Sequence, residues 1–485
     1  MEHKNTWETY SKKQLKEVDS FAADYMNFLD HGKTERECTD QIVNEIEKAG
    51  YQELCKLIKK GTTLKKGDKV YAVNMNKAVV MFQIGKQPME DGMNILGAHI
   101  DSPRLDIKQN PMYEDGGFTL LDTHYYGGVK KYQWVTIPLA IHGVVVKKDG
   151  STIELNVGEN EDDPVFFVSD LLIHLAQEQM EKKAAKVIEG EALDIIVGNK
   201  PLVLEKAKSS KKEEGNASAG KDAVKQGILK ILKESYDMEE EDFISAELEV
   251  VPAGKAREAG FDRSMILAYG QDDRVCAYSS YRAMLEIGEV DRTACCILVD
   301  KEEIGSVGAT GMQSKFFENT VAEVMNLMEE YSDLRLRRCL SNSCMLSSDV
   351  SSAFDPTYAA SFDKKNVAYL GCGMVFNKFT GSRGKSGSND ANAEYLAELR
   401  KVFDKEKVNF QTAELGRVDL GGGGTIAYIL ALYGMNVIDS GVAVLNMHAP
   451  WECTSKADVY ETKRGYVAFL EGMGKDRTVL EKAGN

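Results

Sequence analysis

From about residue 256 onward, apolar runs rich in β-branched residues alternate with segments of helical spacing. No other feature constrains the fold of this chain as much. Residues 293–300, 344–349, 409–414 and 437–445 read as strands, and 313–334, 391–407 and 425–433 read as helices. Strands alternating with helices predict an α/β domain around a central, mostly parallel sheet. The start of the chain adds helical spacing over 7–29 and 34–60, divided by the polar turn His31-Gly32-Lys33. Short β-type runs follow at 69–74, 78–84 and 93–100.

Residues 104–200 differ in character. The stretch 132–146 is rich in Val, Ile and aromatics and reads as strands, and Asp115-Gly116-Gly117, Tyr126-Gly127-Gly128 and Asp149-Gly150 supply turns. The spacing predicts a helix over 168–187. Residues 205–222 (EKAKSSKKEEGNASAGKD) bury almost no apolar area and read as a mobile loop. A helix near 224–236 and a strand near 247–251 follow. There is no internal repeat.

Composition narrows the function. Hydrophobic residues make up 43% of the 485, enough for a sizeable core. The 76 acidic residues outnumber the 60 basic ones, for a net charge of −16. That balance argues against nucleic acid, which needs a basic footprint, and against an anionic membrane surface. No apolar run reaches the roughly 18 residues of a spanning helix. The polar start Met1-Glu2-His3-Lys4-Asn5 has no signal core, so a soluble cytoplasmic protein is expected. Nine scattered cysteines without a C-x-x-C pair predict buried thiols in a reducing compartment.

The chemistry-bearing residues stand just after apolar runs: His99 and Asp101, Asp272 and Asp273, Glu302 and Glu303, Asp349, and His448. In open α/β sheets, ligands collect at the carboxyl ends of strands. Two histidines with several carboxylates and no cysteine suit zinc, manganese or cobalt. A paired site needs a carboxylate to bridge its metals and holds a hydroxide between them. Adjacent acids at 302 and 303 repel unless a cation or shared proton compensates, and one of them can take a proton from water.

Each residue also has a plainer explanation. A lone histidine can be a core residue bonded to a carbonyl. Asp101 can cap a turn, Asp272-Asp273-Arg274 can form a salt-bridge cluster, and the two glutamates can favour a helix start. It is the coincidence of all of them at strand ends that points to metal. Two glycine-rich stretches do not carry a nucleotide motif. Thr380-Gly381-Ser382-Arg383-Gly384-Lys385-Ser386 lacks the first glycine of a phosphate loop, where Phe379 stands. Residues 421–424 before a helix could present N–H groups to an anion, or could pack closely.

Gly97-Ala98-His99-Ile100-Asp101-Ser102-Pro103, Gln271-Asp272-Asp273-Arg274, Asp300-Lys301-Glu302-Glu303-Ile304-Gly305-Ser306, Ser347-Ser348-Asp349 and Asn446-Met447-His448 occur in that order. Together they resemble the aspartyl aminopeptidase and vacuolar aminopeptidase I family of dinuclear zinc aminopeptidases, in its bacterial branch. The resemblance implies a zinc-exopeptidase-like catalytic domain, residues 1–103 and 256–485, interrupted by a β-rich dimerisation domain at 104–255. It implies two divalent metals per subunit, most simply zinc, with manganese or cobalt as alternatives. One would take His99, Asp272 and Asp349, and the other Asp272, Glu303 and His448. Glu302 would act as general base and acid, and Asp101 would orient His99. The expected substrates are peptides with a free N-terminus, and the expected assembly is a homo-oligomer, a tetrahedral dodecamer. Lys378, Arg383 and Lys385 lie in a rim segment that could read an acidic first residue. Eukaryotic members carry a histidine near the position of Asp170, whereas here the nearby histidine is His174.

Related readings compete with this one. The tetrahedral glutamyl and leucyl aminopeptidases share an Asp-Asp-Arg and a Glu-Glu pair. A metal-dependent deacylase or carboxypeptidase could use a similar centre. A non-enzymatic self-assembling shell would not need the ligand positions that are present.

Overall fold

The structure, a computed structural model, describes residues 4–202 and 222–474. The loop expected at 205–222 lies, but for its last residue, outside the described residues. The chain divides into two compact units, one of residues 1–102 with 255–485 and the other of 103–254.

The larger unit is built on a nine-stranded sheet. At its centre Ala294–Val299, Asn94–His99, Cys344–Ser348 and Asn436–Gly441 run side by side and parallel. Ala78–Gln83 and Met374–Asn377 flank this block antiparallel to it, so the sheet is mixed, with a parallel heart. Successive side chains of a strand face opposite ways. Cys296 and Leu298 accordingly join one buried core, with Leu96 and Ala98. Cys295, Ile297 and Val299 join a second core with Ile95 on the opposite face. Both faces are covered, which is why these strands read as unbroken apolar runs. All nine cysteines are free thiols, and seven are buried.

A second, five-stranded sheet in the same unit has the order Arg257–Ala259, Met265–Ala268, Glu452–Ser455, Ala443–Leu445, Ser351–Ser352. The smaller unit holds a six-stranded sheet whose pairs are all antiparallel.

Helix boundaries depart from the sequence expectation where local chemistry intervenes. The first helix, Lys12–His31, starts at Ser11, which shares a reciprocal capping box with Gln14. The helix expected over 34–60 is two, Glu35–Lys48 and Leu54–Lys60, parted at Gly50 with φ 91°. The one expected over 313–334 is Phe316–Leu327, and a separate helix, Asp333–Asn342, begins at the Ser332 cap. Over 425–433 only Ala427–Ala431 is α-helical. Of 132–146, Leu139–Val146 is a strand and Lys131–Gln133 a 3-10 turn.

The largest departure is at 168–187. It forms three short turns, Ile173–Leu175, Gln177–Met180 and Ala184–Val187. Leu171, Leu172, Ile173, Leu175 and Met180 are all about half exposed or more. A helix of this length depends on packing one apolar face, and those residues lack that cover here. Among the described residues no helix is long and apolar enough to cross a membrane.

Candidate metal centre

Three neighbouring parallel strands deliver the first donors. Asn94–His99 ends on His99, whose ring is buried. Beside it, Ala294–Val299 runs through Asp300 into the 3-10 turn Glu302–Ile304. Lys301 and Gly305 bracket that turn with φ of 69° and 98°, so the chain reverses sharply around the two glutamates. On the other side, Cys344–Ser348 ends just before Asp349. Ligand atoms of His99, Glu302 and Asp349 all lie within 4.8 Å of one another.

The five-stranded sheet brings the remaining donors. Met265–Ala268 leads through Gly270 into the helical segment Gln271–Glu286. Gly270 has φ 68°, and a Cβ there would lie 2.0 Å from Arg274 Nη1. Only glycine both adopts this backbone and leaves that space. Asp272 and Asp273 depart from helical geometry, which turns their carboxylates toward the strand ends. Ala443–Leu445 leads to His448, in left-handed backbone at φ 66°.

These side chains converge. Asp272 Oδ1 is 3.4 Å from His99 Nε2, and Asp272 Oδ2 is 3.1 Å from His448 Nε2. One carboxylate therefore faces both imidazoles. His448 Nε2 is 3.5 Å from Glu303 Oε2, and His99 Nε2 is 3.9 Å from Glu302 Oε2. His99, Asp272 and Glu303 form a second group with ligand atoms within 4.8 Å. The His448 side chain is 34% exposed and that of Glu302 15%, against 1% for His99, so the site opens on their side.

Asp101 stands behind the centre. Its Oδ1 is 3.2 Å from His99 Nδ1, and its backbone carbonyl is 3.0 Å from the same nitrogen. With Nδ1 donating there, Nε2 is the nitrogen left for a metal ion on the side of Asp272 and Glu302. Asp101 also accepts the backbone N–H groups of Glu302 and Glu303, both at 3.2 Å. Asp273 accepts the N–H of His99 at 3.3 Å. All seven site residues expected from sequence thus meet in one place.

The electrostatics favour a cation. Burial pushes the Glu302 carboxyl up to about 7, with Asp101 and Asp272 adding to the rise. Burial and neighbouring acids push Glu303 and Asp349 well above the usual carboxylate range. Asp272 is held low despite burial, because His448 and His99 flank it. Oδ1 of Asp272 and Oε1 of Glu303 are buried and accept no hydrogen bond. Four crowded carboxyls, two of them with an orphaned oxygen, beside two imidazoles are the donor set of a divalent metal site, so these residues fit such ions.

Lys378 and Lys385 both pair with Asp390, at 3.6 and 2.9 Å. In the run 421–424, the N–H groups of Gly421 and Gly423 are taken by the carbonyls of Arg417 and Thr380. His174 lies in the turn Ile173–Leu175, and Asp170 accepts from the Leu171 N–H and the Gln179 amide. Sequence reasoning missed Glu452, which holds the backbones of Asp272 and His448. Its one visible signal is a lone acid between Trp451 and Cys453.

Histidines and carboxylates gathered beyond the ends of parallel strands make a site of the kind that metal-dependent hydrolases use. The sequence profile of the aminopeptidase I zinc metalloprotease (M18) family matches residues 28–470, and the chain belongs to that family. It is 63% identical over 469 residues to a probable M18 family aminopeptidase 1 of Clostridium acetobutylicum, spanning 97% of this chain and 98% of that one. The crystal structure of an M18 aminopeptidase from Thermotoga maritima matches with a TM-score of 0.90 at 42% identity, covering 98% of this chain and all of that one. A more distant structure of the same fold, the mApe1 dodecamer of S. cerevisiae, matches with a TM-score of 0.72 at 19% identity, covering 96% of this chain and 98% of that one. The activity of the chain is that of a zinc metalloaminopeptidase, and the deacylase, carboxypeptidase and shell readings are not favoured.

Proposed function

We propose that the chain releases the N-terminal residue of peptides with two divalent metal ions. His99, Asp272 and Asp349 would hold one ion, and Asp272, Glu303 and His448 the other. The observation that carries this reading is the position of Asp272, whose two oxygens face His99 Nε2 and His448 Nε2 at 3.4 and 3.1 Å. Zinc is the metal of the family, and the same donors suit manganese or cobalt.

When bound, the metals supply Lewis acidity to the scissile carbonyl and lower the pKa of water. The chain's own residues do the rest. Glu302, at the open side, takes a proton from the attacking water as the C–O bond forms. It returns that proton to the departing amine nitrogen as the C–N bond breaks. Asp101 holds the His99 ring and the backbone of both glutamates in register.

The unit 103–254 is proposed to join two subunits. A dodecamer is the assembly we propose, by analogy with the dodecamer of the S. cerevisiae neighbour, and tetrahedral form is part of that proposal. The exposed apolar stretch from Leu171 to Leu175 supports burial against another subunit. Small peptides in the cytoplasm are the proposed substrates.

A panel of dipeptides with free or acetylated N-termini tests this function after chelation and re-addition of zinc, manganese or cobalt. Metal-dependent release from free N-termini alone is expected. Release from acetylated substrates, or release that ignores chelation, would refute it.

A further inference from the structure

Glu452 begins the strand Glu452–Ser455 and is 1% exposed. This strand is the middle one of the five-stranded sheet. On one side it pairs with Met265–Ala268, which leads out to Asp272, and on the other with Ala443–Leu445, which leads out to His448. The Glu452 carboxylate divides its two oxygens between those exits. Oε2 accepts the backbone N–H of Asp272 at 3.0 Å, and Oε1 accepts that of His448 at 2.7 Å. The backbone carbonyl of Glu452 accepts the Gln271 side-chain amide at 2.7 Å.

The other members of the centre are held by different groups. Asp273 bonds the N–H of His99, and Asp101 bonds those of Glu302 and Glu303. Glu452 ties the backbone of Asp272 to that of His448 through one carboxyl group. We infer that Glu452 is a positioning residue that sets the separation of Asp272 from His448, and so the affinity of the ion those two share with Glu303. This rests on the two-ion reading above. A glutamine there offers one acceptor oxygen for two N–H donors, and its amide hydrogens oppose the other donor. A buried N–H is then left unpaired and its loop is free to shift. Replacing a group that orients a ligand weakens metal binding by about 10- to 100-fold.

The test uses the full chain as wild type, Glu452→Gln and Glu452→Asp. Zinc is withdrawn with chelators of graded strength and counted per chain by elemental analysis. The visible absorption of cobalt-loaded protein is recorded in parallel, and circular dichroism of metal-free protein checks the fold. The expected result is that Glu452→Gln keeps its fold and that one of its two zincs leaves at about 10- to 100-fold weaker chelation than in wild type. The other, which has only Asp272 among the residues tied to Glu452, is weakened less. The cobalt spectrum then loses one of two contributions. Glu452→Asp, with both acceptors one methylene short, should fall between, and it decides by the same readout if the glutamine variant does not fold. Two zincs held as tightly as in wild type would overturn the inference, and so would equal weakening of both. A wild-type chain that binds a single zinc would instead overturn the two-ion reading on which it rests.

Discussion

Asp101 Oδ1 stands 3.2 Å from His99 Nδ1, and the same carboxylate accepts the N–H groups of Glu302 and Glu303. One buried side chain thereby fixes an imidazole and the two adjacent acids across the strand from it. Asp101→Asn keeps the size but removes one acceptor and adds donors. The expected outcome is metal affinity lower by about 10- to 100-fold, with activity partly restored by excess zinc. Activity measured against free zinc checks this, and an unchanged zinc-activation curve would count against the role.

Glu302 and His448 should separate chemistry from metal binding. Glu302 has its proposed work in proton transfer, so Glu302→Gln should hold zinc and lose about 10²- to 10⁴-fold in kcat. His448→Ala removes a proposed ligand and should instead lower the zinc content per chain. Elemental analysis and steady-state kinetics on both variants read the two effects independently. The reverse pattern, zinc lost from Glu302→Gln and retained by His448→Ala, would exchange the roles.

The raised carboxyls predict how pH acts on the metal-free protein. Burial holds the Glu302 carboxyl near 7, above its value in an unfolded chain, so the folded state binds more protons between about 4.5 and 7. Stability from this group is fully present below that window and is lost as pH rises through 7. Metal-free protein should therefore melt at a lower temperature at pH 8 than at pH 5, and Glu302→Gln should reduce the difference. Zinc held as proposed displaces the protons of the raised Glu303 and Asp349 carboxyls, and its charge favours the ionised form of Glu302 beside them. It should therefore restore the high-pH melting temperature, and zinc affinity should fall on acidification. Thermal melts with and without zinc from pH 5 to 8 check the sign. A metal-free midpoint that rises with pH and is indifferent to Glu302→Gln would contradict it.

What could be seen in the sequence follows from how the site is built. His99, Glu302, Glu303 and Asp349 stand within a few residues of strand ends because the parallel sheet puts its ligand-binding rim there. The apolar runs before them mark that rim directly. Glu452 was not legible, because its partners are backbone N–H groups, one of them 180 residues away in the chain. No side-chain spacing encodes such a contact. The helix expected over 168–187 failed for a related reason. Its apolar residues have helical spacing, but Leu172, Ile173 and Leu175 are 54 to 68% exposed, and periodicity does not report whether a face finds cover. The breaks at Gly50 and Ser332 were local signals of turn and cap, weaker than the long periodicities around them.

Gly441 offers a last test, of the floor beneath Asp349. It ends the strand Asn436–Gly441, which runs parallel beside Cys344–Ser348. A Cβ at Gly441 would lie 2.0 Å from the Asp349 carbonyl oxygen and 2.9 Å from Cys276 Sγ. The backbone oxygen cannot rotate away as a flexible side chain would, so Gly441→Ala should move the Asp349 segment. Overpacking of this kind costs about 1–3 kcal/mol. If Asp349 is a ligand, the same substitution should also weaken zinc retention. Ile438→Ala, a cavity on the same buried strand, should cost about 2–5 kcal/mol and leave zinc retention near wild type. Urea unfolding set beside zinc release under chelation separates the two. Equal zinc retention in both variants, with Gly441→Ala destabilised, would detach Asp349 from the metal and leave it a structural acid at a strand end.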